Sequence, residues 1–267
     1  MSSNNKPLVT GLIPSYNHAK YIKESIQSMI DQDYENMEMI IIDDGSSDNS
    51  IEIIESMIPL CKKRFKRFEF RHRENKGLCT TLNEAIIWAK GKYLSILASD
   101  DIALSHKISF LIEKIENSNY PAVFGDIKRI GERNDKEPNI KEFTIHTFDE
   151  IFTLQNRPFA PSSIYRIEAL KEIGGYPVNI AVEDWYMELK FTENNSKIVS
   201  YPEVLTYYRR HNKNTSKNYE LIYNNFIKIV DNYKNHKLYF KARRLCDIYL
   251  IKISLANNCL SDTLNMK

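Results

Sequence analysis

The stretch Ile40-Ile-Ile-Asp-Asp-Gly-Ser-Ser-Asp48 joins a run of three isoleucines to an acidic turn that contains a glycine. A short, continuous apolar run is typical of a strand that is buried on both faces of a parallel sheet. After the turn, Ile51, Ile54 and Ile58 recur at helical spacing. The stretch therefore predicts a strand, an acidic turn and a helix, which is the repeating unit of an α/β fold.

The same unit repeats along the first half of the 267-residue chain. Strands are predicted at 8–13, 37–42, 68–72, 93–97 and 122–124, with amphipathic helices between them. A charged segment at 129–142 predicts a surface loop, and it is followed by a strand at 161–165, helices at 167–173 and 183–192, and extended chain at 198–210. These elements predict a Rossmann-like, doubly wound and mostly parallel sheet.

The predicted sheet domain covers residues 1–216 and divides at about residue 125. Apolar residues at helical spacing after residue 217 predict a C-terminal helical extension over 217–267. This extension can close the core, rest on a membrane surface or form a homodimer contact.

Charge and cysteine content exclude several classes of protein. The 37 Lys and Arg against 35 Asp and Glu leave a net charge of +2, which does not indicate a nucleic-acid partner. Four cysteines, at 61, 79, 246 and 259, lack zinc-ligand spacing, so reduced thiols are expected. No apolar run is long enough for a signal peptide or a spanning helix. We therefore expect a cytoplasmic protein, whose only membrane contact would be peripheral, at the inner face of the cytoplasmic membrane.

Ligands of open parallel sheets bind beyond the carboxyl ends of the strands, so the residues that follow each apolar run are candidates. The segment Pro14-Ser-Tyr-Asn17 offers an aromatic ring and small polar groups suited to a nucleobase, or it is simply a turn. At Asp43-Asp44, a carboxylate can accept a hydrogen bond from uracil N3–H or a ribose hydroxyl, or it can cap the next helix.

Two further acidic pairs indicate transferase chemistry. Beside a diphosphate, the carboxylates of Ser99-Asp-Asp101 require a bridging divalent cation, and the alternative is a solvated helix cap. At Val182-Glu-Asp-Trp185, a carboxylate can take the proton from an acceptor hydroxyl while Trp185 packs beneath a sugar ring. The alternative there is that acidic residues at a helix start complement the helix dipole.

Taken together and in order, these motifs resemble the family 2 glycosyltransferases, whose donor domain has the GT-A nucleotide-diphospho-sugar transferase fold. The resemblance covers about residues 7–216 and includes Pro14–Asn17, Ile40–Asp48, Asn75–Gly77, Asn83–Ala85, Ser99–Asp101, Gly174–Tyr176, Glu183–Trp185 and Tyr208–His211. One departure is Ala98, where the family often has an aspartate two places before the Asp-Asp pair.

The resemblance implies a donor-binding part at about 7–125, an acceptor-binding, catalytic part at about 126–216, and a role for each matching residue. The residues implied in donor binding are Pro14, Tyr16, Asn17, Asp43, Asp44, Asn75, Gly77 and Asp100. Among them, Asp43 is implied to recognise the uracil. Asp101 is the implied metal ligand, and Asp100 and His211 are further candidates. Arg209, Arg210 and His211 are implied to bind the diphosphate. Asp184 is the implied catalytic base, and Glu183 and Trp185 shape the acceptor and sugar site.

The implied reaction is inverting transfer of a hexosyl or N-acetylhexosaminyl group from a UDP-sugar, with Mn²⁺ or Mg²⁺, to a hydroxyl of a growing and sometimes lipid-linked glycan. Bacterial surface polysaccharide or glycoconjugate synthesis is the implied setting. Two alternatives stay open, namely a non-catalytic module that binds glycans or a partner and a sugar nucleotidyltransferase. The second lacks support because Pro14–His18 contains no glycine-rich phosphate loop.

Overall fold

The computed structural model describes residues 6–131, 141–212 and 214–264, together with their side chains except those of 216 and 252–264. The elements in its first half are β1 (Val9–Ser15), α1 (Ile22–Ile30), β2 (Met37–Asp43), α2 (Ser50–Arg64), β3 (Phe68–His72), α3 (Leu78–Trp88), β4 (Tyr93–Ile96), β5 (Ile102–Ala103), α4 (Lys107–Glu116) and β6 (Ala122–Gly131). Those in its second half are β7 (Thr144–His146), α5 (Phe148–Phe152), β8 (Ser163–Arg166), α6 (Ile167–Glu172), α7 (Glu183–Thr192), β9 (Ile198–Arg210), α8 (Tyr219–Asp231) and α9 (Tyr239–Leu264).

The strands of the described residues form one mostly parallel sheet. Their order is β3-β2-β1-β4-β8-β6-β9-β5, with β7 paired to β9. The first four are mutually parallel, whereas β8 runs antiparallel between β4 and β6. This is the GT-A type of α/β sheet that the sequence predicts.

The register of β1 explains why distant motifs meet at one edge. Leu12 of β1 lies opposite Ile40 of β2 on one side and Ile96 of β4 on the other. Since the three strands are parallel, the segments that follow them leave the sheet at the same edge. The polar residues after β1, β2 and β4 are thereby brought together.

The structure departs from the sequence prediction at the end of the β6 strand. β6 continues to Gly131 and pairs with β9 over that length, whereas the sequence predicts a loop from Arg129. Charged residues are compatible with this strand because Lys128 to Gly131 are no longer fully buried. The rest of the predicted loop, residues 132–140, lies outside the described residues.

Apolar side chains fill both faces of the sheet, and the C-terminal helices share one of these cores. Phe226 of α8 packs against Trp185 of α7 with ring centroids 4.6 Å apart, and Cys246 of α9 is fully buried in the same cluster. The helical extension therefore covers the sheet domain, although the domain divisions near 125 and 216 stay predictions. Among the described residues, every helix is too short or too polar to cross a bilayer.

Candidate active site

Asp43 holds together the turn that follows β2. Its side chain is fully buried, and its carboxylate accepts hydrogen bonds from Ser15 Oγ (2.8 Å), Ser46 N (2.8 Å) and Ser46 Oγ (2.6 Å). These three hydrogen bonds show that the side chain shapes the turn from within. The role of Asp43 in reading uracil stays a prediction.

Asp44 faces the loop between β3 and α3. Its carboxylate accepts hydrogen bonds from Lys76 N and Gly77 N, each at 2.9 Å, and it forms an ion pair with Arg73. These contacts place Asn75 and Gly77 beside the acidic turn. Three of the predicted donor-binding residues therefore lie in one group, with Asp44 at its centre.

Gly45 allows this close approach of the two loops. Its φ of +83° is in the left-handed region, and a Cβ built on it would lie 2.8 Å from the backbone N of Asn75. A larger side chain is disfavoured both by the positive φ and by the contact with Asn75 N. The glycine in the acidic turn is thus a geometric requirement of the Asp44 group.

The loop after β1 joins the same surface. The backbone N–H of Asn17 donates to Ser46 Oγ (2.8 Å), and Asn17 Oδ1 accepts from Ser47 N (2.8 Å). Pro14 is partly buried and the ring of Tyr16 is 49% exposed. An exposed aromatic ring next to the Asp44 group fits the prediction of a base pocket.

The second acidic pair, after β4, divides into two roles. Asp101 is 1% exposed, and its Oδ1 accepts from Arg209 N (2.8 Å), while Oδ2 is buried without a hydrogen-bond partner among the described residues. Burial, together with the charge of Asp100, holds the pKa of Asp101 well above its usual range.

Lys107 is also fully buried and donates to Pro161 O (2.8 Å), and its pKa falls to about 7 because of this burial.

Asp100 instead meets two histidines. Its Oδ2 lies 2.9 Å from His211 Nε2 and 3.8 Å from His18 Nε2. One ligand atom from each of the three residues falls within 4.8 Å of the others. Two imidazole nitrogens and a carboxylate oxygen are a donor set that fits a divalent cation. Asp100 belongs to this cluster and Asp101 does not, so the metal role predicted for Asp101 stays a prediction.

His18 is the site residue that sequence reasoning missed. A lone histidine carries no spacing signal, and its partners Asp100 and His211 are far away in the chain. The available signal was its place directly after β1, because β1 and β4 are adjacent and parallel. A residue that follows one strand must then lie close to a residue that follows the other.

Arg209 clamps this region. Its Nε donates to Asp100 O (2.9 Å), its Nη2 pairs with Glu24 (2.5 Å), and its guanidinium lies 4.9 Å from the ring centroid of Tyr21. With these contacts and the backbone bond to Asp101, Arg209 is a positioning residue in this structure. Arg210, which ends β9, is partly buried, and contact of either arginine with a diphosphate stays a prediction.

Asp184 is a partly exposed carboxylate at the start of α7. Its side chain is 39% exposed, its Oδ1 accepts from Trp185 N (2.7 Å), and its Oδ2 lies 3.2 Å from Arg157 Nη2. Glu183 is more enclosed, and burial together with the charge of Asp184 raises its pKa to about 8. Asp184 therefore presents a partly exposed carboxylate at the start of α7, with Arg157 beside it.

The prediction that Trp185 packs beneath a sugar ring is wrong. The side chain is fully buried, its Nε1–H donates to Ile151 O (2.9 Å), and its ring contacts Phe226. Trp185 therefore anchors the base of α7 and presents no surface to a ligand.

Comparisons with known proteins identify the family of this chain. Residues 11–174 match the family described as Glycosyl transferase family 2. One relative is TuaG of Bacillus subtilis (strain 168), a glycosyltransferase named for teichuronic acid biosynthesis, which is 34% identical over 42% of this chain and 45% of its own length. The chain spans only 26%, 38% and 45% of three curated relatives that it matches.

Solved structures share the fold at low identity. The Staphylococcus aureus TarS 1–349 complex with UDP-GlcNAc superposes with a TM-score of 0.69 at 21% identity, over 91% of this chain and 71% of that one. The mannosyltransferase PcManGT of Pyrobaculum calidifontis, in complex with GDP-Man and Mn²⁺, gives 0.68 at 16% identity, over 92% and 70%. With its GT-A fold and a family match over most of its length, the chain belongs to glycosyl transferase family 2.

Proposed function

We propose that the protein transfers a sugar from a nucleoside-diphosphate sugar, with UDP as the nucleotide, to an acceptor hydroxyl with inversion at the anomeric carbon. The observation that carries this proposal is the convergence of the Asp44 group and the His18–Asp100–His211 cluster at one sheet edge. A nucleoside and a charged diphosphate need neighbouring sites of these two kinds.

The nucleoside is proposed to bind between the exposed ring of Tyr16 and the loop at Asn75 and Gly77. Asp44, which is 6% exposed, and the adjacent Asp43 are the carboxylates proposed to read the base or the ribose. Support comes from the solved TarS complex with UDP-GlcNAc, although the mannosyltransferase complex contains GDP-Man. The shared chemistry is a nucleoside diphosphate, and UDP is the more specific part of the proposal.

The diphosphate is proposed to lie beside Asp100 and His211, with Arg210 contributing positive charge. Mn²⁺ or Mg²⁺, when bound there, would offset the negative charge of the departing nucleoside diphosphate. The Mn²⁺ in the solved mannosyltransferase complex supports a cation of this kind. Asp101, Arg209 and Lys107 are proposed to hold the two segments of this site in place.

Asp184 is proposed to accept the proton of the attacking hydroxyl. A carboxylate on the face opposite the leaving group allows direct displacement, which inverts the configuration. Arg157 orients this carboxylate from one side, and Glu183 lines the acceptor side.

The acceptor would be a hydroxyl of a growing glycan of the bacterial surface, which can be lipid-linked. The name of TuaG supports this setting. Contact of the C-terminal helices with a membrane surface or a second copy stays a prediction.

The proposal is tested with a panel of UDP- and GDP-sugars and a panel of glycan acceptors. A donor that binds the native state should raise the melting temperature in the presence of Mn²⁺. Nuclear magnetic resonance of the product should show an anomeric configuration opposite to that of the donor. If no nucleotide sugar stabilises the protein, a non-catalytic module is favoured, and release of pyrophosphate from UTP would indicate a nucleotidyltransferase instead.

Asp184→Asn should abolish transfer and retain donor binding, because it removes the proton acceptor without changing the shape of the side chain. Asp149→Asn is the matched control, since Asp149 is a similarly exposed carboxylate (43%) whose partners, His236 and Lys237, lie outside the site. Normal transfer by Asp184→Asn would refute the assignment of the base.

A further inference from the structure

His18, Asp100 and His211 form a compact group of three ligand side chains. His211 follows β9, Asp100 follows β4 and His18 follows β1, so three separate segments supply one ligand each. Asp100 and His211 are 7% exposed, and the side chain of His18 is 22% exposed. We propose that His18 is a third protein ligand of the cation and that the resulting two-histidine, one-carboxylate set makes the site selective for Mn²⁺ over Mg²⁺.

The orientation of the His18 ring supports its role as a ligand. Its Nδ1 lies 2.7 Å from Ser99 Oγ, while Nε2 points toward Asp100 Oδ2 at 3.8 Å. When Nδ1–H donates to the serine hydroxyl, the lone pair of the neutral ring is on Nε2, which is the atom on the cluster side. Metal-binding histidines are commonly oriented in this way, by a hydrogen bond to the other ring nitrogen.

The backbone of His18 is also held in place. Its N–H donates to Ser50 Oγ (3.1 Å), and its carbonyl oxygen accepts from Tyr21 N (2.8 Å) and Ile22 N (2.9 Å) at the start of α1. The ring of Tyr21 stacks on His211 with centroids 5.0 Å apart. The two imidazoles are therefore presented by packed segments at a set separation, which reduces the ordering that a bound ion would have to impose.

The chemistry of the donor atoms accounts for the selectivity. Imidazole nitrogen suits transition-metal ions, whereas Mg²⁺ prefers oxygen ligands and keeps several waters. A site with one carboxylate and two imidazoles should therefore bind Mn²⁺ with higher affinity than Mg²⁺. Three protein ligands also leave coordination positions for diphosphate oxygens. This inference deepens the proposed function by defining its cation, yet it can be tested by metal binding alone.

The test measures Mn²⁺ binding to the full chain by electron paramagnetic resonance and calorimetry, without donor or acceptor. His18→Gln should weaken Mn²⁺ binding roughly ten- to a hundredfold, as losses around a metal site commonly do. Its Mg²⁺ affinity should change little, so the preference for Mn²⁺ should shrink. His106→Gln is the matched control, because His106 is a partly exposed histidine paired with Glu203 on the surface, and it should bind Mn²⁺ as the wild type does.

A second readout is independent of affinity and of fold stability. Pulsed electron paramagnetic resonance should detect two imidazole nitrogens coupled to Mn²⁺ in the wild type and one in His18→Gln. The role of His18 would be overturned if His18→Gln still showed two nitrogen couplings. It would also be overturned if His18→Gln bound Mn²⁺ with the affinity of the wild type while Asp100→Asn lost Mn²⁺ binding. Equal affinity of the wild type for Mn²⁺ and Mg²⁺ would overturn the selectivity. If metal does not bind but transfer proceeds in EDTA, this inference fails while the proposed function stands.

Discussion

Arg157 Nη2 lies 3.2 Å from Asp184 Oδ2, and Arg157 Nε donates to the buried carboxylate of Glu188 at 2.7 Å. Burial alone would lower the pKa of Arg157, but the charges of Glu188 and Asp184 outweigh it and raise this pKa. Burial raises the pKa of Glu188 to about 7 even though Arg157 opposes it. One guanidinium thus connects the core of α7 to the carboxylate that we propose as the base.

Replacing this arginine should lower both stability and activity. Arg157→Met leaves Glu188 buried without its partner, so the free energy of unfolding in urea should fall by about 3 kcal/mol. The double variant with Glu188→Gln should recover part of this loss, because the neutral amide is less costly to bury. Transfer should also slow in Arg157→Met, with kcat falling more than the affinity for donor. An unchanged kcat would show that Arg157 does not position Asp184.

The raised pKa of Glu183 predicts how stability depends on pH. The folded state retains this proton up to about pH 8, whereas an ordinary glutamate loses it near 4.5. The folded state therefore binds more protons between these values, so the free energy of unfolding should fall as pH rises through this window. Glu183→Gln should flatten this decline in urea titrations from pH 5 to 9. Glu220→Gln, an exposed glutamate in the first turn of α8, should keep the wild-type slope.

Two glycines with similar φ angles, +83° at Gly45 and +85° at Gly77, provide a matched pair. Gly77 has φ 85° and ψ 155°, and a Cβ on it would meet nothing within 4 Å, so Gly77→Ala should cost only backbone strain of roughly 1–3 kcal/mol. Gly45→Ala adds a contact at 2.8 Å from Asn75 N. It should therefore destabilise more and weaken nucleotide binding more strongly in calorimetry. Equal effects of the two changes would contradict the loop contact.

Trp185→Phe should separate a core role from a substrate role. The change removes one of the hydrogen bonds to Ile151 O, which keeps its bond from Leu154 N, and it shrinks a fully buried ring, so the free energy of unfolding should fall by about 1–3 kcal/mol. Because the ring has no exposed surface, the KM for acceptor should not change. A large rise in this KM with little loss of stability would restore the discarded sugar-stacking role.

Most of the fold could be predicted because its strands are continuous apolar runs that end in acidic or glycine turns. β3, α7 and β9 occur at the predicted residues, and Met37–Asp43 is only one residue longer than predicted. The sequence could not show that the strand β6 extends to Gly131, since this extension depends on pairing with β9. Pairing between distant segments is a tertiary effect that local patterns do not contain.

The candidate site was predictable in its segments but not in the role of each side chain. Asp43 and Asp44 are adjacent carboxylates, and only the hydrogen bonds from Ser15 and from the loop at Gly77 tell them apart. The same limit applied to Asp100 and Asp101. Trp185 looked like a ligand-facing ring because the residues that it packs against, Ile151 and Phe226, are far from it along the chain. Neighbours far along the chain decide each of these cases.

The pairing of β6 with β9 sets a lower bound on a usable fragment of this protein. The family match ends at residue 174, whereas Asp184, Arg209 and His211 follow it. A chain trimmed to that match would lose β9 and expose the length of β6 as an open edge, which invites aggregation. Expression of residues 11–174 by themselves would thus remove these three residues of the proposed site together with the strand that pairs with β6.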